Sequence, residues 1–242
     1  MKLTILAATG GIGRQLLEQA VDAGHDVTAV VRSPKKLSRP VRTVVTDLAS
    51  PDRAALESAV RGADAVLSGL GARSAAEAGV AWRGTLAVTQ AMRAVGVRRI
   101  VAVSAAPIGT VPSPGRPKPP KHDPGDGFLM RHLLSPLTKV VLRAHYADLA
   151  RMEDVLRESG LDWTVVRPPQ LTHKPWTGEY AIAYGQNLRG GFSVSRADVA
   201  DFMLRAISQQ GTVHQPMGIA SQGRATQTMP WQWHTTAPNK TH

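Results

Sequence analysis

The chain has 242 residues, 43% of them hydrophobic, no cysteine, and 29 Lys and Arg against 18 Asp and Glu, a formal net charge of +11. That length suits one large α/β domain, and the missing thiols exclude a disulfide framework and cysteine chemistry. No apolar run is long enough to span a bilayer, and the first residues read as a core strand rather than a signal peptide, so a cytoplasmic chain is expected. The basic residues are dispersed, with no zinc-finger or RNP-like motif. The charge therefore points to anionic small ligands or a merely basic surface, and neither a nucleic-acid partner nor a membrane is expected.

Strand and helix signals alternate from the start. Lys2–Ala7 is predicted as the first strand, followed by a glycine turn and a helix that carries Ile12, Leu16, Leu17 and Ala20 on one side and closes near Gly24. Asp26–Val31 and Val41–Val45 read as strands, and Pro51–Val60 as a helix beginning just beyond Ser50 as N-cap. Ala63–Leu67 is the fourth strand, Glu77 to Val95 a long helix ended by Gly96, and Arg99–Val103 the fifth strand.

Residues 112–127 carry proline at a density that prevents helix and central strand alike, so an extended or mobile surface loop is expected there. Beyond it Phe128, Leu129, Leu133, Leu134, Leu137, Val140 and Val141 recur at roughly helical spacing around Pro136. They predict a helix pair packed on the domain, with a substrate lid or a membrane-surface helix as the alternatives. Ala144–Ser159 is a helix closed by Gly160, Trp163–Val166 the sixth strand, and Asp198–Ile207 a last helix starting after Ser195. The expected architecture is α/β, a single Rossmann-type doubly wound parallel sheet with helices on both faces, spanning residues 1–221. Residues 222–242 read as a polar tail without periodicity, expected to be disordered or docked loosely, with an oligomer contact through Trp231 and Trp233 as the alternative, so a homodimer stays open.

The stretch Ala8-Thr9-Gly10-Gly11-Ile12-Gly13 joins an apolar strand to a helix, which is the opening of a dinucleotide-binding βαβ unit. Gly10 and Gly13 let backbone approach a pyrophosphate, and the helix start offers free N–H groups and a positive dipole end. NAD-selective chains close the second strand with an acid that takes the ribose 2′-OH. Here Arg32 stands in that place, followed by Ser33, Lys35 and Lys36, which suit a 2′-phosphate and point to NADP(H). Asp47 and Leu48 are placed to meet the adenine edge, and Gly69-Leu70-Gly71 to let the middle of the cofactor pass. Ser104 and Pro168-Pro169-Gln170, after the fifth and sixth strands, face the nicotinamide end.

With those residues in place the chain resembles the atypical short-chain dehydrogenase/reductases, the NAD(P)-binding or NmrA-like proteins. Within them it looks most like the biliverdin reductase B group of NADPH-dependent flavin reductases. The similarity runs from the first strand to about Ile207, and its most specific stretches are Arg151–Gly160, Arg167–Tyr180 and Ser195–Ile207. The resemblance implies that Thr9, Gly10, Gly11, Ile12 and Gly13 hold the pyrophosphate and that Arg32 and Lys36 hold the 2′-phosphate. It also implies that Asp47 and Leu48 border the adenine, and that Leu70, Gly71 and Arg73 line the middle of the cofactor. Ser104 matches the family's active-site serine. The family's active-site histidine falls on Gln170, which carries no proton at neutral pH and would orient rather than protonate. Ala7 stands where the glycine pattern usually begins.

The wider superfamily lowers the pKa of a tyrosine with a lysine four residues on. Tyr146 is followed at that spacing by Ala150, and neither Tyr180 nor Tyr184 has a lysine there. Ketone–alcohol interconversion through such a relay is not expected. Hydride delivery to an acceptor that stabilises its own charge is: a flavin, a quinone or a bilin-like system, a small planar conjugated substrate. The alternative reading is a non-catalytic NADP(H)-binding redox sensor of the NmrA-like kind. His145 reads as a helix-surface histidine, with a proton-supplying role as the alternative. Trp176 either walls the acceptor pocket or packs. No histidine has metal-ligand spacing, so no metal is expected.

Overall fold

Consecutive residues of a strand point to opposite faces of its sheet, and in the first strand, Lys2–Leu6 (β1), that alternation assigns Ile5 and Leu6 to two different cores. The computed structural model describes residues 1–72, 77–127 and 142–222. Its strands continue with β2 (Asp26–Val31), β3 (Arg42–Val45), β4 (Ala65–Ser68), β5 (Arg99–Val103) and β6 (Asp162–Arg167). Four shorter or later strands follow: β7 (Gln170–Thr172), β8 (Tyr180–Tyr184), β9 (Ser193–Ser195) and β10 (Gln215–Ser221). The main sheet has eight strands in the order β3-β2-β1-β4-β5-β6-β10-β8; all neighbours run parallel except β8, which is antiparallel to β10. β7 and β9 pair separately.

The helices are α1 (Gly11–Asp22), α2 (Arg53–Val60), α3 (Val80–Val95), α4 (Arg143–Glu158) and α5 (Arg196–Ala206). α2, α3 and α4 pack Leu56, Val88 and Leu149 against Leu6, Val66 and Ile100 on one face. On the other face, α1 and α5 pack Leu16 and Phe202 against Ile5, Leu67 and Val101. This is the doubly wound arrangement expected, with helices on both faces.

Several boundaries differ from the sequence reading, each for a local reason. The N-cap of α2 is Asp52, not Ser50: its carboxylate accepts from the N–H groups of Ala54 at 2.8 Å and Ala55 at 3.2 Å. α3 begins at Val80 rather than Glu77, because Gly79 takes a left-handed φ of 92°. The cap of α3 comes from another helix, Asp148 of α4, which accepts from the N–H groups of Gly79, Ala81 and Trp82 at 2.8, 3.2 and 2.9 Å. The strands from β7 to β10 were not anticipated. β10 contains Pro216 and Gly218, which read as loop residues until pairing partners are known.

The proline-rich stretch is a series of turns and bends outside any helix or strand, and it is pinned. Ser113 Oγ donates to Asp154 Oδ1 at 3.0 Å, and the N–H of Gly115 donates to Asp154 Oδ2 at 2.9 Å. Buried Asp123 accepts from the N–H groups of Gly125 and Asn187 at 2.9 and 2.8 Å. The expected helix pair over 128–141 and the tail beyond Gln222 lie outside the described residues. Among the described residues no helix is long and apolar enough to cross a membrane.

Candidate active site

The glycine turn is closed by a hydrogen bond from the N–H of Gly10 to the carbonyl of Ala7 at 2.7 Å, with Ala7 itself at φ 55°. α1 starts at Gly11 with neither a side-chain cap nor an acidic residue in its first turn, so its leading N–H groups face outward unpaired by side chains. Gly13 is required by packing: a Cβ there would overlap the Ala7 carbonyl. A Cβ on Gly69 would in turn come within 2.9 Å of the Gly13 nitrogen. The turn and the loop after β4 thus approach as bare backbone, and the cradle fits a pyrophosphate.

Two connected depressions run along the carboxyl ends of β2, β1, β4 and β5, sharing Ala7, Leu70 and Gly71. The smaller, about 50 Å³, is bordered by Thr9, Arg32, Asp47, Leu48 and Glu77. The larger, about 220 Å³, is bordered by Gly10, Gly11, Ile12, Ser104, His145, Leu171 and Arg196. The sequence-predicted residues Thr9, Gly10, Gly11, Ile12, Asp47, Leu48, Leu70, Gly71, Arg32 and Ser104 are therefore brought together on one continuous groove. Lys36 lies in an exposed 3-10 turn, Pro34–Lys36, outside the groove lining. Gln170 is exposed on β7, and its neighbour Leu171 faces the cleft. Arg73 lies outside the described residues.

Arg32 is not idle at the narrow end. Its Nη2 donates to Glu77 Oε1 at 2.8 Å, a partner that raises the guanidinium pKa through that hydrogen bond and its charge. Among the described residues, the lining of the narrow end holds the cation Arg32 together with Glu77 and Asp47.

At the wide end, Ser104 Oγ donates to Glu153 Oε1 at 2.9 Å. Arg167 Nε reaches the same oxygen at 2.9 Å, and Arg167 Nη2 and Arg157 Nη2 reach Oε2 at 2.5 and 2.6 Å. Burial by itself would raise the Glu153 carboxyl. Arg167, Arg157 and the Ser104 hydroxyl together overcome that and hold it below its ordinary value. Glu153 is thus a carboxylate, and the Ser104 proton is committed to it. Toward the cleft, Ser104 offers lone pairs and accepts.

His145 faces the cleft and is not a plain surface residue; a Cβ on Gly71 would lie 3.9 Å from its Cε1. Burial lowers its pKa, with Asp148 opposing, so it is predominantly the neutral imidazole near pH 7. Tyr146 beside it is buried in the core, and Ala150 stands four residues on. Trp176 is 56% exposed and packs on Gly178 without lining the cleft. The loop that carries it is fastened at its end, where Asp198 accepts from the N–H groups of Thr177 and Gly178 at 2.8 and 3.0 Å.

Sequence reasoning missed Glu153, Arg167, Glu77 and Arg196 as parts of this site. An arginine at the end of the hydrophobic run Trp163–Val166 was a usable sign of a buried ion pair.

A parallel sheet of this order with a bare-backbone cradle at the first strand–helix turn defines a dinucleotide-binding Rossmann protein. Residues 7–210 match the NAD(P)H-binding family, and the chain belongs to that family. A UPF0659 protein of Schizosaccharomyces pombe is 27% identical over 225 residues, covering 88% of this chain and 87% of its own. Among solved structures, the anaerobillin reductase ChuY of Escherichia coli O157:H7 superposes with a TM-score of 0.71 at 20% identity, covering 94% of this chain and 100% of its own. SP1627 of Streptococcus pneumoniae, a putative NADH-flavin reductase, superposes with a TM-score of 0.68 at 23% identity, covering 92% and 100%. At those identities the two structures establish the fold.

Proposed function

We propose that the chain is an NADPH-dependent reductase that delivers hydride to a flat conjugated acceptor such as a flavin, a quinone or a bilin-like ring system. One observation carries this reading: Ser104 is an acceptor at the wide end of the cleft, with its proton held by Glu153. A chain so arranged lacks the Tyr–Lys donor that a ketone needs, and suits a substrate that stabilises its own charge. The flavin and bilin activities named for the two structural neighbours, and the resemblance to the biliverdin reductase B group, support the same acceptor class.

In this reading Thr9, Gly10, Gly11, Ile12 and Gly13 hold the pyrophosphate, and Arg32 with Lys36 holds the 2′-phosphate. Asp47 and Leu48 border the adenine, and Leu70 and Gly71 flank the middle. Bound NADPH supplies the hydride. Ser104 accepts an N–H from the carboxamide or the acceptor and so fixes its orientation, Gln170 orients from the rim, and His145, which faces the cleft as a neutral imidazole, is a hydrogen-bond partner for the acceptor rather than its acid. The function is assigned to residues 1–221 as one unit, in the cytoplasm.

The test is NADPH consumption by the purified protein with FMN as acceptor against a protein-free blank. Turnover above the blank, abolished by Arg32→Asp, is expected. Tight NADPH binding with no turnover for any planar acceptor would overturn the reductase and leave a redox sensor.

A further inference from the structure

Arg196 is the first residue of α5, directly after the Ser195 N-cap, and its side chain borders the wide cleft beside Gly11 and Ile12. A cation at this end of a helix opposes the helix dipole, so helix stability does not account for it. Its single hydrogen bond runs from Nη1 to the Thr172 carbonyl at 3.1 Å. That uses one of five guanidinium donors and leaves the charge unneutralised.

Other arginines of the neighbourhood are matched: Arg32 on the cleft meets Glu77, Arg167 and Arg157 meet Glu153, and Arg205 of α5 meets Asp201. Arg196 forms no ion pair with any described carboxylate. Asp198, two residues on, is already occupied by Ser195 Oγ, Thr177 and Gly178. Gly11 leaves the lane in which the arginine lies, since a Cβ there would come within 2.7 Å of Arg196 Nε. The uncapped start of α1 and an unneutralised guanidinium therefore converge on one wall of the cleft, with no anion among the described residues to meet them.

We infer that Arg196 is an anion clamp, taking a phosphate or carboxylate group carried by a ligand of this cleft. The inference rests on the reading of the cleft as a cofactor and acceptor site. Two ligands can present the anion: the dinucleotide, through its pyrophosphate, or the acceptor, through an acidic tail on a flat ring. Leu171 and Val103 supply the apolar wall for such a ring beside the guanidinium.

Equilibrium binding of four probes to the full chain and to Arg196→Gln separates these sources. NADP⁺ carries the pyrophosphate and 2′-AMP lacks it; FMN carries a phosphate and riboflavin lacks it. The variant is expected to bind one anionic member about tenfold more weakly while its partner probe is unchanged. The pair that responds names the source, and if neither flavin binds, the nucleotide pair decides. Unchanged dissociation constants for all probes would overturn the clamp and leave Arg196 a latch on Thr172. Equal weakening within both pairs would also overturn it, because shape rather than charge would then have been lost. Arg196→Lys keeps the charge without the planar fork and should show the same contrast at smaller size; it carries the test if the Gln variant does not fold. Binding is read without turnover, so a failure of the reductase reading leaves this result standing.

Discussion

Ser104 and Glu153 are joined in one direction only: the hydroxyl gives its proton to a buried carboxylate that two arginines also hold. Replacing Glu153 by Gln leaves Arg167 buried without its counter-charge, and breaking such a pair costs about 3 kcal/mol. For a chain of this size that lowers the melting temperature by roughly 10 °C, measured by calorimetry. Ser104→Ala removes one hydrogen bond and no charge, about 1 kcal/mol, so its main effect should be on turnover. A large thermal loss in Ser104→Ala with unchanged turnover would contradict the assigned direction of that bond.

In the proposed reading Arg32, which already donates to Glu77, shares its guanidinium with the cofactor's 2′-phosphate. Glu77→Gln is therefore expected to tighten NADPH several-fold and raise the NADPH/NADH affinity ratio, while Arg32→Asp inverts that ratio. Parallel titrations with the two nucleotides test both, and an unmoved ratio in Arg32→Asp would sink the phosphate assignment.

Ala7 holds a left-handed φ of 55° at the mouth of the glycine turn, a conformation that costs a non-glycine residue about 1 kcal/mol. Ala7→Gly relieves it at some cost in unfolded-chain entropy. A net stabilisation of about 0.5 kcal/mol is expected as a higher urea midpoint with unchanged slope.

A half-buried histidine and a buried carboxylate make the fold acid-sensitive. Burial sets the His145 pKa below its ordinary 6.5, so the unfolded chain binds more protons as the pH drops below that value. Its stabilising contribution is complete above pH 6.5 and is lost as pH falls through the lowered value. Glu153, held below 4.5, contributes above 4.5 and is lost as pH falls through its own depressed value. Urea midpoints measured from pH 7.5 downward should fall first in the histidine range, and His145→Asn should remove that first decline.

The alternation of β1 through β6 with the helices was legible because each run carries its own period and its own stop, as at Gly24, Gly96 and Gly160. That Thr9, Gly10, Asp47, Leu70 and Ser104 would meet along one groove was legible for the same reason, since they follow strand ends in chain order. What was hidden depends on residues distant in sequence. Asp148 caps a helix that begins 68 residues earlier, at Val80. Glu153 finds Arg167 across a helix–strand boundary, and Arg196 looks like an ordinary surface cation until α5 is laid against α1. β10 carried no period because Pro216 and Gly218 interrupt it; it is a strand through its pairing with β6 on one side and β8 on the other.

That last strand has a consequence for how the chain reaches this state. Among the described residues β10 is the last strand in chain order, yet it lies inside the sheet, between β6 and β8. Until residues 215–221 emerge from synthesis, β6 presents an open row of amides and carbonyls on a buried apolar strand, and β8 lacks the partner that holds it to the sheet. Such an edge invites pairing with another chain. A copy stopped at residue 214 would thus expose that edge to pairing with a neighbouring chain, which residues 215–221 close off in the full chain.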